Sequence, residues 1–424
     1  MTSIQTITSA LAGLDSIRGE LADFYRDLHA HPELSGVEFR TADQVARQAT
    51  ALGYQVTTEI GGTGVVAVLA NGPGPTVLVR ADFDALPIQE ATGLPYQSRI
   101  DGVMHACGHD MHATCLLGAL KLLGDARASW SGTLLAVFQP AEETGRGAQG
   151  MIDDDLFARF GTPDIVLAQH TAPVPVGLIG GHSGIAAAAT DALRIVMHGH
   201  GGHGSRPEAT VDPVVMAAAT VMRLQTIVSR EIAADEAAVV TVGAMRAGTK
   251  DNIIPDDAEL QLNIRTFTPE VRTRVLAAVD RIVRAEAAAA GAQWAPDTSV
   301  IDAFPVMVND ADAMRRTLGA FGAVFGNDKV FDPGRITGSE DAGNFATAAG
   351  VPLCYWMFGV LDPAVFGGSD PVQILHDLIG GKLDLKTVPG PHTAGYAPVV
   401  DPAIKVGVTA MTTAALTWLG EARS

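Results

Sequence analysis

The sequence predicts an α/β protein with a mostly parallel sheet, interrupted by an α+β insert. Three observations lead to this prediction. Short apolar runs alternate with helical patterns as far as about Gly180, the middle of the chain has a different order of strands and helices, and the first pattern returns after about Pro305. With 424 residues, 47% of them hydrophobic and 18% charged, the chain has the length of two or three domains and can bury a large core.

Four short apolar runs in the first part of the chain predict buried strands. They follow an amphipathic stretch from Thr41 to Leu52, which predicts a helix. Each run is bounded by Gly, Pro or Asn, which favours a strand over a helix. The runs are Gly64 to Ala70, Thr76 to Val79, Thr133 to Phe138 and Asp164 to Ala168. Because helical patterns fall between them, much of the sheet should be parallel.

The middle of the chain predicts a separate α+β unit. Asp212 before Pro213 and Thr268 before Pro269 are N-caps that begin two helices. The predicted elements are, in order, a strand at Ala192 to Met197, a helix from Pro213 to about Arg230, a strand at Ala238 to Val242, a strictly alternating strand at Ala258 to Ile264, a helix ending at Gly291 and a last strand near Trp294. This order is the split βαβ pattern of a ferredoxin-like unit.

The α/β pattern returns in the last third of the chain. A strand is predicted at Val351 to Met357 and a closing helix from about Pro402. We therefore predict one α/β domain formed by residues 1–188 and 303–424, with the ferredoxin-like unit inserted at residues 189–302. An insertion of this kind is tolerated where the chain passes through an exposed loop.

The charge balance excludes several classes of partner. Lys and Arg number 29 against 47 Asp and Glu, which gives a formal net charge of −18. Such an acidic surface repels phosphate backbones and anionic lipid, so we expect neither nucleic acid nor a membrane as a partner. An anionic substrate would need a local Arg or a metal ion to attract it.

Cysteine usage and the N-terminus favour a cytoplasmic protein. The cysteines, Cys107, Cys115 and Cys354, are too few for a disulfide framework and fit a reducing compartment. The first residues form an amphipathic pattern without the basic start and apolar core of a secretory signal. No uncharged apolar run approaches the roughly 18 residues of a membrane span.

The densest group of chemically active residues lies between Met104 and His112. Cys107, His109 and His112 occur within this short stretch, beside Asp110. Thiolate and imidazole are the usual ligands of zinc, and a ligating imidazole normally has a carboxylate or carbonyl on its other nitrogen. The segment offers both kinds of group and therefore predicts a metal site.

Acidic and imidazole side chains also follow the predicted strands. Glu142 and Glu143 come after one strand, His170 after the next, and Asp82 and Asp84 after a third. In open α/β sheets the ligand crevice lies outside the carboxyl ends of the strands, so these side chains should converge there. Adjacent glutamates point different ways, which lets one bind metal while the other acts as a base.

Two other chemistries compete with this interpretation. Gly199, Gly201 and Gly204 match a dinucleotide-binding fingerprint, but Pro207 follows, the helix begins only near Pro213, and no acid-terminated parallel strand comes at the required distance. We therefore reject a dinucleotide site. Cys107 as a covalent nucleophile remains an alternative, because a Cys–His pair can also perform that work.

Several motifs in order then point to a family. They are LHAHPELSGVE from Leu28, RADFDALPIQE, MHACGHDMHAT, QPAEET, GHGSRP, DNIIPD, GSED and PHTAGYA from Pro391. On these motifs, which extend over nearly the whole chain, the sequence resembles the amidohydrolase branch of the dinuclear zinc aminoacylase and carboxypeptidase G superfamily. That branch includes hippurate hydrolases, N-acyl amino acid aminoacylases and indoleacetyl amino acid hydrolases. MHACGHD, GHGSRP, LQTIVSRE and GSED look most like N-acyl-glutamine aminoacylases.

The resemblance implies a zinc-exopeptidase-like catalytic domain with two divalent metal ions per chain. Zinc is the expected metal, and cobalt and manganese are the alternatives. The implied ligands are Cys107, His109, Glu143, His170 and His392, with Cys107 bridging the two ions. Glu142 resembles the general acid/base that activates metal-bound water, and Asp84 resembles a residue that orients a ligand.

The resemblance also implies roles for the inserted unit as a lid and dimerisation domain. His203 resembles an imidazole that reaches into the partner subunit's site to stabilise the oxyanion, so a homodimer is expected. Asn252 and Arg265 resemble residues that hold the substrate carboxylate, and Arg265 would be the local cation that the acidic chain requires.

The expected reaction is hydrolysis of the amide bond of N-acyl or N-aroyl L-amino acids, which are small-molecule substrates. A dipeptidase or aminopeptidase on the same scaffold is one alternative, and a non-catalytic metal-dependent binding protein is another. Two departures from the family pattern affect the acyl pocket: Ala342 follows Asp341 where an aromatic residue is common, and the stretch after His392 lacks the usual acidic pair.

Overall fold

The computed structural model describes residues 4–421, and the chain divides into two compact units. The first unit runs to Ala186 and includes Val308–Gly334 and the chain from Asp341 onwards. The second unit is formed by Ala187–Met307 and Arg335–Glu340. The outermost residues of the predicted catalytic domain, 1–3 and 422–424, lie outside the described residues. The assignment of the units as catalytic domain and lid remains a prediction.

The first unit contains a nine-stranded sheet. In spatial order its main strands are Gln55–Ile60, Gly64–Asn71, Trp130–Gln139, Thr76–Asp82, Ile165–Pro175, Leu353–Leu361, Ile179–Gly180 and Val330–Phe331, and Gly420–Glu421 pairs with Trp130–Gln139. The four central strands are parallel, and antiparallel pairs lie towards the edges. The α/β prediction is therefore confirmed, together with the four apolar runs and the strand near Val351.

Helices cover this sheet. They are Ile4–Leu11, Leu14–Ala30, Phe39–Ala51, His109–Asp125, Gly147–Asp153, Leu156–Phe160, Ala311–Phe325, Gly343–Ala349, Pro371–Ile379 and Val400–Trp418. The helices His109–Asp125 and Val400–Trp418 are buried along almost their whole length, so they form the centre of the core. Among the described residues, no helix is both long and apolar enough to cross a membrane.

The second unit has its own core and a four-stranded antiparallel sheet in the order Ala238–Ala247, Asp257–Thr266, Ala189–His198, Asp297–Phe304. Two helices, Pro213–Arg230 and Pro269–Ala289, complete it. Asp212 and Thr268 cap these helices, as predicted, by accepting the N–H groups of Val214 and Val271. The last strand begins three residues after Trp294, the position named in the sequence prediction. The strand order is that of a ferredoxin-like unit.

Four further short strands form two separate two-stranded sheets among the described residues. Gly202–His203 pairs with Ile253–Ile254 in the second unit, and Gly184–Ala187 and Met307–Asn309 fall where the chain passes from one unit to the other. Strict alternation in Asp257–Thr266 is also confirmed, because Ala258, Leu260, Leu262 and Ile264 are all buried.

A buried charge network ties the central strands together. The guanidinium of Arg80 has no solvent exposure and donates to Gln139 Oε1 (2.7 Å), Asp82 Oδ2 (2.8 Å) and Asp341 Oδ1 (3.2 Å). Gln139 Nε2 also donates to Asp341 Oδ1 (2.6 Å), and Asp341 Oδ2 accepts the N–H of Ala148 (3.0 Å). Charged groups survive away from water only when paired and hydrogen-bonded in this way.

Replacing Arg80 by Met should therefore lower the free energy of unfolding by about 3–5 kcal/mol, because the carboxylates would stay buried without their partner. Denaturant unfolding of the chelator-treated protein, followed by tryptophan fluorescence, measures this loss. The control is Arg47→Met: Arg47 is exposed and paired with Asp43 on one helix, so its loss should cost below about 1 kcal/mol. Equal losses in the two variants would contradict the stabilising role of the network.

Candidate metal centre

The turn that carries Cys107 and His109 is shaped by Gly108. Gly108 has φ +89°, and a Cβ atom there would lie 2.6 Å from Thr171 Oγ1, so only glycine fits. Thr171 Oγ1 donates to the carbonyl of Cys107 (2.9 Å), which fixes this turn to the neighbouring strand. Cys107 and His109 therefore face the same space, one before the helix His109–Asp125 and one at its first residue.

Glu142 and Glu143 follow the strand Trp130–Gln139, as predicted. The turn between them and the strand is strained, because Ala141 has φ +48°, a conformation that residues with a side chain rarely adopt. His170, in contrast, lies within the strand Ile165–Pro175 and not beyond its end, where the sequence pattern places it. The strand is longer than its apolar run because the pairing with Leu353–Leu361 continues past His170, which lies opposite Met357.

Two sets of donor atoms that could each hold a metal ion share Cys107. One set is Cys107, His109 and His170, and the other is Cys107, Glu143 and His392. Cys107 Sγ lies 3.5 Å from His170 Nε2, and Glu143 Oε1 lies 3.3 Å from His392 Nε2. Ligand atoms on one tetrahedral zinc ion lie about 3.3–3.6 Å apart, so both spacings suit a shared ion.

The imidazoles present the correct nitrogen to such an ion. His109 Nδ1 donates to Asp84 Oδ1 (3.1 Å), and His170 Nδ1 donates to the carbonyl of Thr171 (2.7 Å). In the neutral ring, a proton on Nδ1 leaves the lone pair on Nε2, and a ligating imidazole is oriented by such a hydrogen bond. Among the described residues, His109 Nε2 and Glu143 Oε1 are buried without a hydrogen-bond partner. A buried polar atom in that state fits metal ligation.

Asp84 connects several parts of the site. Besides His109, its carboxylate accepts the hydroxyl of Ser35 (2.6 Å) and the backbone N–H of Glu143 (3.1 Å). Burial raises the pKa of Asp84, but the hydrogen bond and charge of His109 outweigh it and lower that pKa below its usual value. The contact with His109 is the one that an orienting residue would make.

His112 and Asp110 do not have the positions that the sequence pattern suggests. His112 Nε2 accepts the N–H of Thr171 (2.8 Å) and its Nδ1 donates to Asp82 (2.5 Å), so both nitrogens are occupied and the ring is not available as a ligand. Asp110 contacts His29 (2.7 Å), whereas Asp84 is the carboxylate on His109. A helix turns these neighbours of His109 to other directions, which a count of clustered ligands cannot show.

The electrostatics favour a charged thiolate. Burial and the charge of Glu143 raise the pKa of the Cys107 thiol, but His170 and His109 outweigh them and lower it to about 6. Burial lowers the pKa of His170, but Cys107 raises it overall to about 9. The neighbouring Cys107 and Glu143 raise the pKa of His392 to about 10. A cation between these groups would displace their protons, as metals do on binding thiolate and imidazole.

The three predicted residues of the inserted unit lie in two places. His203 pairs with Ile253 in the short two-stranded element, and the N–H of Gly204 donates to the carbonyl of Asn252 (2.9 Å), so His203 and Asn252 are neighbours. The N–H of Ser205 donates to His203 Nδ1 (3.1 Å). Because that nitrogen accepts, the neutral ring carries its proton on Nε2 and can donate from there.

Arg265 lies in the strand Asp257–Thr266 and not in the two-stranded element that contains His203. Its guanidinium donates to Asn263 Oδ1 (2.8 Å), Ser339 Oγ (2.9 Å) and the carbonyl of Thr337 (3.3 Å). Within residues 4–421, no carboxylate pairs with this half-buried cation. A guanidinium held in place without an anion is suited to bind one from outside.

The sequence is similar to known proteins of one family. The family model described as Peptidase family M20/M25/M40 matches residues 78–371, which include Cys107, His109, Glu142, Glu143 and His170 but not His392. N-acetylcysteine deacetylase of Bacillus subtilis is 37% identical over 307 residues, covering 70% of this chain and 80% of that protein. Hippurate hydrolase of Campylobacter jejuni is 38% identical over 337 residues, covering 78% of this chain and 85% of that protein.

A solved structure agrees with these relatives. A Bacillus subtilis protein described as a dinuclear metal binding peptidase from the M20 family matches with a TM-score of 0.73 and 28% identity, covering 95% of this chain and 98% of that one. The family resemblance seen in the motifs is thus confirmed. The chain belongs to peptidase family M20/M25/M40 and is a metal-binding amidohydrolase.

Proposed function

We propose that this enzyme hydrolyses the amide bond of N-acyl or N-aroyl L-amino acids and releases a carboxylic acid and a free amino acid. The observation that carries the proposal is the pair of donor sets that share Cys107, with the Glu142 carboxylate beside them. Glu142 Oε2 lies 3.9 Å from His109 Nε2, and its side chain is 7% exposed. A dinuclear centre with an adjacent carboxylate has the parts needed to split an unactivated amide.

Cys107, His109 and His170 would hold one ion, and Cys107, Glu143 and His392 the other. Two divalent ions would polarise the substrate carbonyl and lower the pKa of water. We propose zinc as the metal, with cobalt or manganese as alternatives. Glu143 is the better ligand of the two glutamates, because it lies 3.3 Å from His392 and belongs to the set that includes Cys107.

Glu142 remains as the proton-transfer group. In the proposed reaction its carboxylate takes a proton from the attacking water and delivers it to the nitrogen of the departing amine, so that the leaving group is a neutral amine. The water-poor surroundings of a nearly buried carboxylate strengthen its interaction with the developing charge. Both carboxylates approach His109 Nε2 to 3.9 Å, but Glu143 also belongs to the set with Cys107 and His392, which leaves Glu142 for proton transfer.

The inserted unit would supply the groups that recognise the substrate. His203 donates from Nε2 to the oxyanion, and Arg265 with Asn252 binds the α-carboxylate of the amino acid. An acyl amino acid is an anion, and a chain with net charge −18 repels anions at long range. A cation without a carboxylate partner, such as Arg265, compensates for this repulsion where the substrate binds.

A homodimer formed through the inserted unit is supported by exposed apolar side chains. On the helix Pro213–Arg230, Val215 is 65% exposed and Met222 is 73% exposed, and their seven-residue spacing puts them on one face. The strand Ala238–Ala247 is an edge of its sheet and exposes Val239 and Met245. An apolar helix face and an unpaired strand edge are both surfaces that proteins cover with a partner.

Replacing Glu142 by Gln should lower kcat by about 10²–10⁴-fold, because the amide cannot accept the proton of water. The metal content, measured by elemental analysis of the same sample, should stay at the wild-type value. Loss of metal in this variant, with retention in Glu143→Gln, would show that the two glutamates have the opposite roles.

A substrate panel tests the reaction itself. N-acetyl-L-cysteine and N-benzoylglycine, the substrate types in the names of the two relatives above, should release free amino acid, and N-acetyl-L-glutamine extends the panel. Release should stop after chelation and return with zinc. Faster cleavage of free dipeptides than of acylated amino acids would favour a peptidase. Substrate binding without product release would favour a non-catalytic binding protein. Turnover that chelation does not stop would favour Cys107 as a covalent nucleophile.

Subunit mixing tests His203 and the dimer together. His203→Ala and Glu142→Gln should each be inactive as pure homodimers. If His203 acts in the partner's site, a mixed dimer contains one site with both groups intact, so mixing the two variants after mild dissociation should restore activity. No recovery, in samples where mixed dimers are seen by native mass spectrometry, would place His203 in its own subunit's site.

A further inference from the structure

The motif that extends from Leu28 to Glu38 contains no predicted ligand or acid/base group. Three of its five polar side chains are nevertheless relevant to the centre: His29, Ser35 and Glu38, of which His29 and Glu38 are fully buried. Each of them contacts a residue that adjoins or holds a predicted site residue. The contacts were not visible in the sequence, because the paired residues are between 49 and 103 positions apart.

His29 lies at the end of the helix Leu14–Ala30 and bridges two buried carboxylates. Its Nδ1 lies 2.7 Å from Asp110 Oδ2 and its Nε2 lies 3.3 Å from Glu90 Oε1. Carboxylates only accept, so a ring that donates to both is an imidazolium. Burial opposes this charge, but the hydrogen bonds of Asp110 and Glu90 raise the pKa of His29 to about 9. The rings of Tyr25 and Tyr96 lie against it, with centroids 5.7 and 5.5 Å away.

Through these carboxylates His29 reaches two segments that carry ligands. Asp110 directly follows His109 in the first turn of its helix. Glu90 accepts the N–H of Ser98 (2.6 Å). Ala91, which follows Glu90 in the sequence, donates its N–H to the carbonyl of Ala394 (2.8 Å). Ala394 belongs to the turn with His392, whose own N–H donates to Ala106 (2.8 Å) and whose φ is +63°. A strained turn of this kind persists only where surrounding contacts hold it.

Ser35 and Glu38 act on other parts of the centre. The Ser35 hydroxyl donates to Asp84, the carboxylate that holds His109. Glu38 Oε1 accepts the N–H of Gly36 (2.8 Å) and of Ala141 (2.9 Å), and its Oε2 accepts the hydroxyl of Thr63 (2.5 Å). Ala141 is the strained residue immediately before Glu142. Glu38 therefore holds the backbone that aims the proposed base.

We propose that the segment from His29 to Glu38 is a positioning layer for the metal centre, in which His29 sets the ligand geometry through Asp110 and Glu38 sets the direction of Glu142 through Ala141. The proposal rests on the ligand and base assignments proposed above. It predicts two different signatures. Disturbing His29 weakens metal binding, whereas disturbing Glu38 slows turnover at unchanged metal affinity.

Matched variants of His29 test the first signature. In His29→Asn the amide nitrogen takes the place of Nδ1 and keeps the contact with Asp110, whereas in His29→Gln it takes the place of Nε2 and loses that contact. Zinc affinity of the metal-free protein, measured by competition with a chromophoric chelator, should fall about tenfold in His29→Gln and stay within about threefold of wild type in His29→Asn. His31→Gln is the control, because the polar contacts of the His31 ring within the described residues are with Asp27, in the preceding helix.

The second signature is tested with Glu38→Ala and Glu38→Gln. Glu38→Ala should lower kcat about tenfold with KM and zinc affinity unchanged, and Glu38→Gln, which keeps an oxygen acceptor for Ala141, should recover most of kcat. Thermal unfolding of every variant accompanies the measurements. If Glu38→Ala does not fold, Glu38→Asp replaces it, because the shorter side chain withdraws the acceptor from Ala141: a lower kcat at wild-type zinc affinity supports the proposal, and full kcat in that variant overturns it for Glu38.

The outcomes separate this inference from the proposed function. If wild type binds no zinc, the dinuclear assignment itself fails. If wild type binds zinc and His29→Gln binds it equally well, or if His29→Asn loses as much affinity as His29→Gln, the role given to His29 is wrong. Loss of affinity in His31→Gln to the same extent would show a general loss of stability and overturn the positioning role.

Discussion

A guanidinium can be buried in a protein only where anions and hydrogen-bond acceptors surround it, and the centre of the first unit is built around that constraint. Arg80 joins Asp82, Gln139 and Asp341, which come from two central strands and from the chain where it returns from the second unit. Asp82 then holds His112, and His112 holds the backbone of Thr171. One buried cation thus helps to fix the strands beside the candidate centre, one of which carries His170.

The same balance of charge explains why so many carboxylates can surround the candidate centre. Three of these carboxylates are buried, and each has a different kind of partner. Asp84 contacts His109, and Asp110 contacts His29. Glu38 accepts hydrogen bonds from three neutral donors. Without such partners the cost of removing each charge from water would be several kcal/mol. Among the described residues, His109 Nε2 and Glu143 Oε1 are buried without a hydrogen-bond partner, and a divalent cation would complete their surroundings.

Local patterns in the sequence predicted much of this architecture, and long-range contacts explain the rest. The caps at Asp212 and Thr268 and the alternation from Ala258 to Ile264 depend on neighbouring residues, so they could be recognised directly. The inclusion of His170 in a longer strand depends on a partner strand nearly two hundred residues later. The ligand roles came from resemblance to a family and stay predictions, while the contacts of His29 and Glu38 required the fold. A motif in the sequence identifies residues that belong to one site. Which side chains those residues contact is determined by tertiary packing.

The division of the chain has a consequence for how the protein is made. The path between the units crosses four times, since Arg335–Glu340 belongs to the second unit although the segment before it belongs to the first. In the second unit this short piece supplies Ser339, whose hydroxyl donates to the carbonyl of Ala188 and accepts from Arg265. During synthesis on the ribosome, the second unit therefore cannot reach its final form until residues beyond 335 have emerged. An excised 189–302 fragment lacks that piece, so a chimaera that exchanges this unit between relatives has to transfer residues 335–340 with it.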